Sequence, residues 1–131
     1  MIDPIVQTMN AASSGMRAQS QRLSVASENL SNSDTHGYKR KLMNFTQQVD
    51  RESGLTTVGV SRPSLDRSQG EMIFDPNHPL ANDQGLVESS NVDMIIEMAD
   101  AREANRSFEA NLTTFKQAGE MYRGLLGLLR Q

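Results

Sequence analysis

The sequence predicts a mainly α-helical protein, in which long N- and C-terminal helices pair as an antiparallel coiled coil around a small β-hairpin and extended middle region. Three observations carry this prediction. Apolar residues recur in sevens at both ends of the chain, turn formers cluster after the first such stretch, and the middle is polar with short β-branched runs. The expected division is 1–33 and 90–131 for the paired helices and 34–89 for the turn, extended segment and hairpin.

The C-terminal stretch is the stronger of the two. Met94, Ala101, Phe108, Phe115, Tyr122 and Leu129 fall on one line seven residues apart. Met98, Leu112 and Leu126 hold the companion line, on which Asn91, Asn105 and Gly119 are weak members. Such a seam must pack against another helix. Ser90 is the expected N-cap, with Asp93 in the capping-box position three residues on. No proline interrupts the run, so one helix of roughly 58 Å follows from the rise of 1.5 Å per residue. Ordinary globular helices are about 10–14 residues long, so this one needs a long partner.

The N-terminal stretch supplies a candidate. Asp3 is placed to cap a helix with Pro4 at its first position, where a missing N–H costs nothing. Ile2, Met9, Met16, Leu23 and Leu30 step by seven, while Ile5, Ala12 and Ala26 form the second line, broken by Gln19. The members are small or flexible, so the helix owes its stability to packing. Subunit packing is therefore expected along Met9, Met16, Leu23 and Leu30 on one helix. Met94, Met98, Phe108, Leu112, Phe115, Tyr122, Leu126 and Leu129 carry it on the other.

Between the helices, Ser31 to Gly37 is dense in residues that hydrogen-bond their own backbone, and Gly37 can take φ > 0 without a steric penalty. Lys39-Arg40-Lys41 then reads as a solvated basic face. Leu55–Ser61 and Glu71–Phe74 are the two expected strands, paired across Asp66–Gly70, with Pro63 confining the first to an edge. A lone hairpin is marginal in water and should lean on the helices or a neighbour.

Composition excludes several classes. A hydrophobic share of 37%, only four Phe and two Tyr, and no Trp leave little for a thick core. The net charge of −3 argues against nucleic acid as a partner. No run approaches the apolar length of a membrane span, so no direct lipid insertion is expected. The N-terminus lacks the basic and apolar regions of a cleaved signal peptide. Zero cysteines remove disulfides and thiolate metal sites. His36 and His78 have no ligand at helical spacing, and no phosphate-binding or nucleophile motif occurs. Asp93, Glu97, Asp100 and Glu103 lie among Arg102 and Arg106, the ordinary look of a charged solvent face or a polar inter-subunit face rather than a metal cluster. No catalytic, cofactor or metal site is expected, and the chain reads as a non-enzyme.

The run Leu23-Ser24-Val25-Ala26-Ser27-Glu28-Asn29-Leu30-Ser31-Asn32-Ser33-Asp34-Thr35-His36-Gly37-Tyr38-Lys39-Arg40, preceded by Ser14-Gly15-Met16-Arg17-Ala18, resembles the N-terminal signature of the bacterial flagellar rod and hook family. Ser90–Asn111 resembles that family's C-terminal helix, and Asp75–Gly85, with the short chain, is most similar to its proximal rod members. Ser31, Ser33 and His36 depart from the commoner residues of the signature. Asn29, Asn32, Thr35, Gly37 and Tyr38 are the motif positions of the turn. The resemblance implies a structural rod subunit in the basal body, within the periplasmic space. It implies packing with itself and other rod subunits in a helical lattice, and export through the flagellar type III apparatus without a cleaved signal. The alternative reading is a soluble helical adaptor or export chaperone that binds one partner helix.

Overall fold

The computed structural model describes residues 3–130. Two long helices run side by side, and every strand lies in the chain between them. Helix α1 spans Pro4–Ser31; the Asp3 carboxylate accepts from the Ile5 N–H at 2.8 Å and Pro4 opens the first turn, as the sequence predicts. It ends at Asn32, whose N–H still donates to the Glu28 carbonyl at 3.1 Å and whose side chain donates to the same carbonyl at 2.9 Å. Ile2, a member of the expected seam, lies outside the described residues, as do Met1 and Gln131.

Helix α2 spans Met94–Leu129. Its cap is Asp93 rather than Ser90: the Asp93 carboxylate accepts from the Ile95 N–H at 2.9 Å and the Ile96 N–H at 3.4 Å. Ser90 through Val92 are not helical because other segments claim their polar groups. The Ser90 hydroxyl donates to the Ser33 carbonyl, and the Asn91 N–H donates to the Tyr38 carbonyl at 3.3 Å. An anionic cap also suits the positive end of the helix dipole.

The helices are antiparallel. Met9 lies by Gly119, Gly15 against Asn111, and Arg22 bonds Asp100 at 2.9 Å, so one number rises as the other falls. Small residues make this packing close. A Cβ on Gly15 would stand 2.8 Å from the Asn111 Oδ1. The buried hydrophobic residues are Ala12, Ala18, Ala26, Val87, Ala104 and Ala118, five of the six being alanine. At 28 and 36 residues the helices are roughly 42 and 54 Å long, so α2 outreaches α1.

The middle forms three antiparallel strand pairs, not the one expected hairpin. Strands β1 (Lys41–Leu42), β2 (Phe45–Val49), β3 (Thr56–Val60) and β4 (Ser64–Leu65) make one long arm, with β2 on β3 and β1 on β4. The register runs Lys41↔Leu65 and Leu42↔Ser64, then Phe45↔Val60, so Ser61–Pro63 oppose only Met43 and Asn44. Pro63 sits in that bulge, where its missing N–H breaks no ladder bond. The arm lies on α1, and the Val58 N–H donates to the Ser14 Oγ at 3.2 Å. Strand β5 (Met72–Phe74) pairs with β6 (Leu86–Glu88) across the Asp75–Gly85 loop.

Thus Leu55–Ser61 and Glu71–Phe74 do contain strands, but not strands of one hairpin. The nearer partner wins at each. Asp50 to Leu55 is a tight turn, with Gly54 at φ +69° and the Asp50 carboxylate accepting from the Glu52 N–H at 2.8 Å. That turn folds β3 back on β2 before Asp66–Gly70 is reached.

Candidate functional site

The turn motif builds a joint where the arm leaves the helices. Asn29 is fully buried (0% exposed) near the end of α1 and bonds through both the oxygen and the nitrogen of its amide. Its Oδ1 accepts from the Tyr38 hydroxyl at 3.0 Å and the Lys41 N–H at 2.9 Å, while its Nδ2 donates to the Lys41 carbonyl at 3.0 Å. The side chain therefore acts as a strand partner for Lys41 at a helix end. Between Asn29 and Tyr38 the chain turns through Asn32 and Thr35. The Thr35 N–H donates to the Asn32 carbonyl at 3.0 Å, and the Tyr38 N–H donates to the Thr35 carbonyl at 3.2 Å. Gly37 has φ +71°, the left-handed conformation expected of it, and its N–H donates to the Glu88 carbonyl at 3.0 Å.

The basic triplet is not a solvated face. Lys39 pairs with Glu88 at 2.5 Å, Arg40 with Glu97 at 2.7 Å, and Lys41 with Glu28 at 2.6 Å. Glu97, expected on a charged solvent face, is 1% exposed and is the largest fully buried side chain. The Asn91 Oδ1 accepts from the Arg40 N–H at 2.6 Å, and its Nδ2 donates to the carbonyls of Asp66 and Ser68 at 2.9 and 3.0 Å. Asn91 is thus a tie between arm and α2, not a weak seam position. Gly70 closes the region: a Cβ there would fall 2.0 Å from the Ser89 carbonyl oxygen.

Three ionisable groups here are displaced by these contacts. The Lys39 ammonium, then the Gly70 N–H, hold the Glu88 carboxyl below its ordinary value. Burial, then the Glu28 charge, push the Tyr38 phenol up. The hydrogen bond to Glu28 raises Lys41. Each shift stabilises the protonation state that the joint uses at neutral pH.

Away from the joint the picture inverts. Met9, Met16, Leu23 and Leu30 on α1, and Phe108, Leu112, Phe115 and Tyr122 on α2, are half-buried. Met94, Met98, Leu126 and Leu129 are exposed, joined by Ile95, Ile96, Met121, Leu125 and Leu128. The buried line of α2 is Glu97, Ala104 and Ala118, one residue before the expected companion line of Met98 and Leu112. Within the chain, then, small residues fill the helix contact and the large apolar ones are left at its margins. Of the turn residues, Asn29 is buried, Asn32 and Tyr38 are half-buried, and Thr35 and Gly37 are exposed.

Sequence reasoning missed Glu97, Arg40 and Asn91. A signal was present for the first two: three consecutive bases and an acid four residues after a helix cap, both flanking the same turn in space once the helices pair. No sequence signal announces that Asn91 faces Arg40.

A buried polar joint with peripheral apolar helix faces defines a protein built to be part of a larger body, and the comparisons agree on the class. Residues 9–39 match the flagella basal body rod protein family, and residues 83–128 match the flagellar basal body rod FlgEFG protein C-terminal family. The chain is 38% identical to the flagellar basal-body rod protein FlgC of Agrobacterium fabrum, over 98% of both chains. It is 36% identical to FlgC of Buchnera aphidicola and 34% identical to FlgC of Salmonella typhimurium, each over 89% of this chain and 92% of the relative. The chain belongs to the FlgC family of flagellar basal-body rod proteins, a structural and not an enzymatic family.

Proposed function

We propose that this rod subunit occupies the proximal rod and assembles there with itself and with other rod subunits in a helical lattice. The paired helices, 1–33 and 90–131, form its packing domain and 34–89 its outer region. Met9, Met16, Leu23 and Leu30, with Met94, Met98, Phe108, Leu112, Phe115, Tyr122, Leu126 and Leu129, complete a coiled-coil-like packing between chains. The chain reaches the periplasmic space through the flagellar type III export apparatus. Many repeated helix contacts that do not close on themselves give a filament able to carry torque.

One observation carries this reading. Ile95 is 79% exposed and Leu129 is 83% exposed, while alanines fill the contact between the chain's own helices. Large apolar side chains set along helix faces in this way mark a surface for other proteins.

The test is a pair of substitutions on that face, Leu125→Ser with Leu128→Ser. Both side chains are exposed, so the isolated protein should keep its stability within about 0.5 kcal/mol. Secretion should persist, and the amount retained in purified basal bodies should fall at least about tenfold, the effect of some 1.4 kcal/mol lost per contact. Normal retention would refute the surface. A finite complex with one soluble partner, formed without any basal-body retention, would favour an adaptor instead.

A further inference from the structure

The middle region has two bare strand edges, and they differ. In the arm, the Ser61 N–H donates to the Asn44 carbonyl at 3.0 Å and the Asp50 N–H donates to the Leu55 carbonyl at 2.9 Å. Antiparallel bonding alternates, so Thr46 and Gln48 bond β3, and Phe45, Gln47 and Val49 turn their N–H and C=O groups outward. The opposite edge of the arm lies against α1, to which the Val58 N–H donates at Ser14. In the second pair, the Ser89 N–H donates to the Glu71 carbonyl at 2.8 Å and the Asp75 N–H donates to the Gly85 carbonyl at 2.9 Å. The same alternation turns Met72 and Phe74 outward on β5, while the far edge of β6 is met by Gly37 at Glu88.

Among the described residues, none of the outward groups of Phe45, Gln47, Val49, Met72 and Phe74 has a hydrogen-bond partner. All residues of β2 and β5 are exposed. Neither strand contains a charge or a proline, the devices that keep an edge from pairing. Unpaired backbone groups on an exposed edge select an extended strand as their partner.

We propose that in the assembled rod the β2 edge of one copy pairs antiparallel with the β5 edge of the next, setting Phe45 opposite Phe74 and Gln47 opposite Met72. This rests on the lattice reading above. One edge paired with itself would form a closed two-fold unit and stop, whereas two unlike edges on one chain join head to tail and continue. Sequence fixes the register. Of the two neighbouring registers, one would set Phe45 against Pro76, which has no N–H, and the other would set Gln47 against Gly70, whose N–H is already held by Glu88. The phenyl rings of Phe45 and Phe74 then form a cross-strand aromatic pair.

The absence of native cysteine makes the test clean. Cells are made to carry Gln47→Cys and Met72→Cys together in one full-length chain, and in separate strains each alone and the two singles mixed. Facing residues of a bonded antiparallel pair are about 5.5 Å apart at Cα, within disulfide reach. Mild oxidation of basal bodies should give a ladder of covalent multimers from the double variant, dimers from the mixed singles, and monomer from either single. A dimer from Gln47→Cys alone would establish self-pairing and overturn the proposal, as would monomer from the mixed singles. If the variants are not retained, the same oxidation of the concentrated purified chain decides between the same outcomes. Gln47→Pro removes an outward N–H and no bond of the arm, so it should lower retention about threefold or more, while Gln47→Ser leaves it unchanged. Equal retention of the two variants would also count against the pairing. Retention of the unsubstituted chain reports on the rod reading separately.

Discussion

The joint around Asn29 and the last turns of α2 are held in opposite ways. At the joint, polar groups are withdrawn from solvent and satisfied: Asn29 bonds Tyr38 and Lys41 just past its helix, and Glu97 bonds Arg40, 57 residues away. Along the end of α2, Met121, Leu125, Leu128 and Leu129 are apolar and exposed. The usual globular arrangement is apolar inside and polar outside. Here the inside of the single chain fixes geometry, and the proposed contacts between chains fall on the apolar surface.

The largest effect that would sharpen this contrast lies at Glu97. Glu97→Ala leaves the Arg40 guanidinium without its buried partner and should destabilise the isolated protein by about 3–5 kcal/mol. Leu129→Ala, at a position 83% exposed, should change the same chemical denaturation midpoint hardly at all. Equal effects at the two sites would erase the distinction.

A middle-sized effect is expected at Gly37. Its φ of +71° is unfavourable for a β-branched residue, so Gly37→Val should cost roughly 1–3 kcal/mol. No atom lies within 4 Å of the added Cβ, so the loss is backbone strain and not a clash. Gly37→Asn, which tolerates this region better, should recover much of it in the same denaturation assay.

The smallest effects are in pH. Tyr38 is raised in the folded state, so its contribution is complete below the unfolded phenol value near 10 and declines as pH rises through the higher folded value. Glu88 is lowered, so its contribution is complete above the ordinary carboxylate range and declines as pH falls through the lower folded value. Unfolding followed across pH should therefore show a loss on each side, with Tyr38→Phe reducing the alkaline one, which the raised Lys41 shares, and Glu88→Gln reducing the acid one, which the lowered Asp50 and Asp66 share. An alkaline loss undiminished in Tyr38→Phe would assign it to Lys41 and not to the phenol.

The helices were legible in the sequence because their signals are local. Asp3 and Pro4 mark a start, sevenfold apolar spacing marks the faces, and Gly37 marks the turn. What was not legible is which distant groups meet. Strand β2 is polar at its centre, Phe45-Thr46-Gln47-Gln48-Val49, and lies exposed along its whole length, so no buried alternation announces it. Glu97 looks like any surface acid until α2 is laid beside the residues that follow α1. On α1 the expected second line does hold the buried Ala12 and Ala26, whereas on α2 the contact runs along Glu97, Ala104 and Ala118, one residue from the expected companion line.

Lys39, Arg40 and Lys41 are successive residues tied to three different elements: Glu88 on β6, Glu97 on α2 and Glu28 on α1. The three ties therefore run to separate elements, and the arm is stayed like a mast by more than one line. A load that loosens one tie leaves the others to hold the arm.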